Sequence, residues 1–123
     1  MGKKIRKSIT TCFGRRMREA RNRLDMPQDR VGVLIGLDEG CSSARISRYE
    51  TGVHEPPFEV AKRIAQALAV PVAYLYCEDD WMADMILRLG ALTTAERALL
   101  DYRLSALLEA KDLPMVAEKI VEK

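Results

Sequence analysis

Apolar positions recur along this chain at three- and four-residue steps, the spacing of helices that each bury one face. Phe13, Met17, Ala20 and Leu24 make the first stripe and predict a helix from Thr11 or Cys12 to about Leu24. Asp25-Met26-Pro27 ends it, because proline disfavours a helical residue before it yet suits a helix's first turn. A second helix follows over about Gln28 to Ile35, with Val31, Leu34 and Ile35 inward, and Gly36 allows the left-handed backbone that closes a helix. Ile46 and Tyr49 lie about 60° apart on a helical wheel and form the natural buried pair of a third helix. Ala44, Arg48 and Thr51 then fall on its opposite side, with Ser43, Arg45 and Ser47 on the flanks, and Gly52 stops it.

Beyond this point the pattern continues as packing. Phe58 to Ala69 predicts a fourth helix burying Val60, Ile64, Ala65 and Leu68, and Pro71 opens a short fifth one, VAYLY. Glu78-Asp79-Asp80 complements the positive end of a further helix that carries Trp81, Met82, Met85, Ile86 and Leu89 up to Gly90. Thr93 with Glu96 has the spacing of a capping box for a last long helix reaching about Lys111. There Ala95, Leu99, Tyr102, Ala106 and Leu108 form a stripe that Leu100, Leu104 and Leu107 widen. A face this broad needs partners, either by packing back on the preceding residues or by pairing with a second copy; pairing through Leu99, Tyr102 and Ala106 is the preferred expectation. Residues Pro114 to Lys123 predict a further amphipathic turn or two. The expected class is therefore all-α.

Between Gly36 and Ile46 two accommodations are open. Residues 37–41 either lengthen the turn, with Ser42 as the N-cap, or Asp38 caps a third helix that gains a turn at its front. Gly40 counts against the longer helix.

Charge adds a division that the hydrophobic pattern does not show. The formal net charge of +2 conceals 14 Lys/Arg against 8 Asp/Glu in residues 1–77, and 6 against 10 in residues 78–123. A basic head beside an acidic tail suits a polyanion-binding unit joined to a segment with another task. Lys3 and Lys4, with Arg6 and Lys7, make residues 1–10 a basic arm able to add phosphate contacts. Arg15, Arg16, Arg18, Arg21 and Arg23 crowd the first helix, and some are expected to face a phosphate backbone. An anchored helix presenting small polar residues and arginines fits a nucleic-acid groove better than a protein core.

The remaining composition mainly excludes. With 48% hydrophobic and 31% charged residues among 123, the chain has the make-up of a soluble globular protein. No apolar run approaches the ~20 residues of a membrane span, no secretory signal pattern is visible, and Arg6 stands where a myristoylation motif wants Ser or Thr. Cys12, Cys41 and Cys77 are isolated and His54 is the one histidine, which excludes a zinc site and predicts reduced thiols in the cytoplasm. Without a glycine-rich phosphate loop or a carboxylate pair in an apolar setting, no catalytic constellation or cofactor site assembles, and no enzyme is expected.

FGRRMREAR (13–21), the early Gln28, RISRYETG (45–52) with the proline after it, and VAKRIAQALAV (60–70) followed by YLY (74–76) resemble the helix-turn-helix of the phage repressor and Cro-like family, also called XRE. The resemblance covers roughly residues 11–77 and departs in one place, an excess of about four residues, close to one helical turn, between Gly36 and Ile46. It implies a five-helix repressor-like DNA-binding domain over 11–77 with a helical extension over 78–123 for dimerisation. It further implies base contacts from Ser43, Ala44, Ser47 and Arg48, led by Arg48, which can take O6 and N7 of guanine together. Gln28, Ser42, Arg45 and His54 are the implied phosphate contacts, although Glu55 beside His54 weakens that loop. Glu50 is expected to be structural, accepting bonds from backbone or from an arginine of the first helix.

The expected function is a dimeric bacterial or phage repressor that occludes an operator in double-stranded DNA, with no small-molecule ligand. An antitoxin or protein-interaction module whose last helices bind a partner protein is the alternative.

Overall fold

A computed structural model describes residues 11–111, which form seven helices. The basic arm with Lys3 and Lys4, and the turns expected over Pro114 to Lys123, lie outside the described residues. The chain divides into a compact unit running to Gly90 and a second unit from Ala91.

In the first unit α1 spans Cys12–Arg23, α2 Gln28–Leu34, α3 Glu39–Thr51, α4 Phe58–Ala67, α5 Val72–Tyr76 and α6 Asp80–Gly90. Thr11 starts α1 through its hydroxyl, which accepts the Gly14 N–H at 3.0 Å. The core gathers Phe13, Met17 and Ala20 of α1, Val31 of α2, Ile46 and Tyr49 of α3, Ala61, Ile64 and Ala65 of α4, and Tyr74 and Leu75 of α5. These follow the stripes read from spacing, apart from Val60, expected inside and only half-buried, and two leucines. Leu24 is exposed, because α1 ends at Arg23 and the backbone has already turned at Leu24. Leu34 is exposed too: α2 meets α3 through Gly32, which rotates its inward side towards Val31, Gly32 and Ile35 and leaves Leu34 out.

The sequence-based boundary after Cys77 falls inside this first unit. Ala83 of α6 is buried, and Ile86 and Leu87 pack against the core. Asp79 caps α6, accepting the Met82 N–H at 2.8 Å, while Asp80 turns back to Arg15 at 3.0 Å and Arg16 at 2.9 Å. Arg16 is itself buried and also donates to the carbonyls of Cys77 and Glu78 at 2.8 and 3.0 Å, so the α5–α6 connection is clamped to α1. Trp81, Met82 and Leu89 remain exposed.

In the second unit α7 spans Thr94–Ala110. Its expected capping box is present: the Thr93 hydroxyl accepts the Glu96 N–H at 3.2 Å, and the Glu96 carboxylate accepts the Thr93 N–H at 2.8 Å. These bonds hold the Glu96 carboxyl below its ordinary pKa. No residue of α7 is buried, and Leu99, Tyr102, Leu104 and Leu107 are open to solvent.

Candidate nucleic-acid interface

The question left open between Gly36 and Ile46 is settled by the start of α3. The helix begins at Glu39 and Asp38 occupies the N-cap position with extended backbone, so the added residues lengthen the helix and not the turn. The Asp38 side chain makes no capping bond; a carboxylate near the free N–H groups of the first turn still suits that end of the helix. Gly40 is tolerated in the first turn of the helix, in open space.

Ser42 therefore cannot be the N-cap, and its assignment as a phosphate contact is corrected. It is 0% exposed and donates its hydroxyl to the Asp29 carbonyl at 2.6 Å. It also sits against Gly32, where any Cβ would collide with the serine side chain. This crossing, small residue on glycine with one hydrogen bond, fixes the approach of α2 to α3. On the α1 side Gly14 plays the same part, because a Cβ there would strike the carbonyl of Glu50.

With both neighbours that close, the orientation of α3 is determined. Ile46 and Tyr49 are 0% and 6% exposed, as the wheel predicted, and Ser43, Ala44, Arg45 and Arg48 are exposed while Ser47 is half-buried. Thr51 is a correction to that wheel. It is buried at the end of the helix, its hydroxyl folded back on the Ser47 carbonyl at 3.0 Å. Gly52 then closes α3 at φ 81°, and the exposed His54 lies close by, its backbone N–H donating to the Arg48 carbonyl at 3.3 Å.

Beneath the exposed face lies a buried ionic cluster that sequence reasoning anticipated only in part. Glu50 is 0% exposed and accepts from Arg18 Nε at 3.1 Å, from Arg21 Nε at 2.6 Å and Nη2 at 3.1 Å, and from the Gln28 amide at 3.1 Å. The Gln28 carbonyl oxygen in turn accepts a 3.4 Å bond from the Ser43 hydroxyl. A structural role for Glu50 with an arginine of α1 was expected; its bond to Gln28 was not. Nor was Arg30, exposed in α2 beside a surface depression shared with Pro27, Asp29, Val33 and Glu39. Its place on the solvent side of the second helix was the available signal.

The arginines of α1 also correct an expectation. Arg15 and Arg16 bind Asp80, Arg18 and Arg21 bind Glu50, and Arg23 lies over the Tyr74 ring at 5.7 Å. Arg15 and Arg16 also pair with Glu19, so four of the five hold the fold together and the exposed Arg23 alone has no carboxylate among the described residues. Arg30, Arg45 and Arg48 form no ion pair among the described residues.

A helix-turn-helix domain model matches residues 13–75, half of the chain. The chain belongs to the helix-turn-helix family. Within that family its match extends further along the chain: the crystal structure of a transcriptional regulator, BswR, superposes with a TM-score of 0.76 at 38% sequence identity, covering 79% of this chain and 96% of that one. No curated protein sequence matches. In helix-turn-helix terms α2 is the first helix of the motif and α3 the second, here 13 residues long. On the other unit Leu99, Tyr102 and Ala106 do share one face of α7, lining a shallow depression with Arg103 and Leu107.

Proposed function

We propose that this helix-turn-helix chain is a sequence-specific, double-stranded DNA-binding transcriptional regulator of the repressor and Cro-like type. It acts in the cytoplasm as a dimer that represses by occluding its operator. The observation that carries the reading is the orientation of α3: Ile46 and Tyr49 inward, Ala44 and Arg48 outward, with no ion pair on Arg48 among the described residues. A helix presented this way places small side chains and one guanidinium against base edges in a major groove, and the exposed Arg45 and the His54 loop against the flanking phosphates. Ser43, Ala44, Ser47 and Arg48 carry the sequence choice. Gln28 contributes to a phosphate through what remains of its amide.

Dimerisation falls to α7, whose exposed Leu99, Tyr102 and Leu107 a second copy would cover. Two such subunits set their α3 helices into successive grooves roughly 34 Å apart, so the operator is a palindrome and polymerase is excluded from it.

Selection of bound fragments from random duplex DNA tests the reading: an enriched two-fold motif is expected, and retention without enrichment refutes it. Gel filtration of the double variant Leu99→Glu, Tyr102→Glu tests the dimer. A shift to the monomer position is expected, and an unchanged elution volume removes α7 from the interface. A wild-type chain that runs as a monomer favours the partner-protein reading.

A further inference from the structure

Resting on that DNA-reader reading, we propose that Glu50, acting through Gln28, fixes the Ser43 hydroxyl as a hydrogen-bond acceptor at the DNA surface, so that Ser43 selects for an exocyclic amino group of adenine or cytosine.

The inference follows from the polarity of a hydrogen-bonded chain. A serine hydroxyl is ordinarily ambiguous, one donor and two acceptor lone pairs on a freely rotating bond, and reads either kind of base edge. Here the ambiguity is removed from the inside outwards. Glu50 is enclosed and accepts through both oxygens from Arg18 and Arg21, whose guanidiniums only donate, so it faces Gln28 as an acceptor. The Gln28 amide group must therefore turn its NH2 towards Glu50, where Nε2 lies 3.1 Å from Oε1. That leaves the Gln28 carbonyl facing Ser43, and a carbonyl only accepts, so the hydroxyl 3.4 Å away must donate to it. With its single hydrogen directed at Gln28, the exposed Ser43 oxygen shows the solvent lone pairs alone.

In the major groove adenine N6 and cytosine N4 are donors, whereas thymine O4 and the guanine O6 and N7 atoms accept. A lone-pair-only serine therefore favours the strand carrying the amino group. Arg48 on the outward side does the reverse, since a guanidinium only donates and seeks guanine. The two residues together give α3 one fixed acceptor and one fixed donor.

The experiment uses the full chain and the duplex enriched from random DNA. Ser43→Ala first identifies the base pair whose preference depends on Ser43. At that pair, replacing the amino group of adenine or cytosine by hydrogen should weaken wild-type binding about five- to tenfold, the worth of one hydrogen bond, and should weaken Ser43→Ala no further. Turning the pair end for end should cost the wild type a similar factor. In Gln28→Leu the hydroxyl is free to rotate, and the two orientations of that pair should bind within about twofold of each other, whatever the general loss of affinity. A purely structural Gln28 would lower binding to every sequence alike and leave the orientation preference intact; that result overturns the proposal. So does a wild type indifferent to the amino group, or a Ser43→Ala variant with an unchanged motif. If no motif is enriched at all, the DNA-reader reading falls first, and visibly so.

Discussion

Two groups of arginines, alike in the sequence, are used in opposite ways. Four of the five in α1 are paired with carboxylates: Arg18 and Arg21 reach Glu50 across 32 and 29 residues of chain, and Arg16 and its neighbour Arg15 reach Asp80, Arg16 across 64. Arg30, Arg45 and Arg48 of α2 and α3 have no such partner among the described residues. The contrast explains how one small unit can be both rigid and basic. The first group holds α3 from behind, tying its last turn to α1 and to the start of α2. The second leaves exposed guanidiniums on the two helices of the motif. Charge in a segment is thus a poor guide to what it binds; the location of its counter-charge decides.

The sharpest way to break the contrast is to release the first group. Glu50→Ala removes the shared acceptor of Arg18, Arg21 and Gln28, leaving two arginines in a partly enclosed site without a counter-charge. A loss of about 3 kcal/mol is expected, at the low end for a broken buried pair because Arg18 can swing to solvent. Denaturant unfolding measures it. A loss below about 1 kcal/mol would mean that Glu50 is not what fixes α3.

Releasing the second group should leave stability within about 0.5 kcal/mol, since these side chains are exposed and form no ion pair among the described residues. Arg48→Ala is expected to cost about 1–3 kcal/mol of binding to the selected operator while sparing random duplex, as the loss of a guanine contact does. Equal losses on both DNAs would reassign Arg48 to the backbone. Arg45→Ala should behave in that second manner, weakening all sequences alike and lowering the slope of log affinity against log salt by about one. Fluorescence anisotropy titrations over a range of salt separate the two variants.

Much of this was legible before any coordinates. Helical spacing, with proline, glycine and capping signals, anticipated the seven helices of the described residues, and the wheel put Ile46 and Tyr49 inward with Arg48 outward, because a local repeat determines which side of a helix is greasy. Where the reading failed, the determinant lay far away in sequence. Leu34 is turned out and Ser42 turned in by one glycine-to-serine crossing between α2 and α3. Four of the α1 arginines are claimed by Glu50 and Asp80, which come close to them only in the fold. The added turn of α3 was undecidable for a different reason. Gly40 disfavours helix only weakly, by an amount that the packing of Ser42 on Asp29 and Gly32 overrides.

The smallest expected effect sits at the other end of α1 and has a direction fixed by chemistry. Hydrogen bonds and the charges of Arg15 and Arg16 hold the Asp80 carboxyl below the ordinary carboxylate value. A carboxylate whose pKa is lower folded than unfolded adds stability that is fully present above the unfolded value, about 4, and is lost as the pH falls through the folded one. The α6 end of the first unit should therefore loosen in acid below about pH 4, and not between pH 5 and 8. Asp80 is largely open to solvent, so added salt should weaken the clamp and shrink the effect. The emission of Trp81, one residue along α6 and the chain's single tryptophan, reports on that end of the helix. Its acid transition should disappear in Asp80→Asn, which no longer carries the titrating group. A transition unchanged by Asp80→Asn would show that another carboxylate governs α6, and the pairing of Arg15 and Arg16 with Asp80 would then contribute nothing measurable.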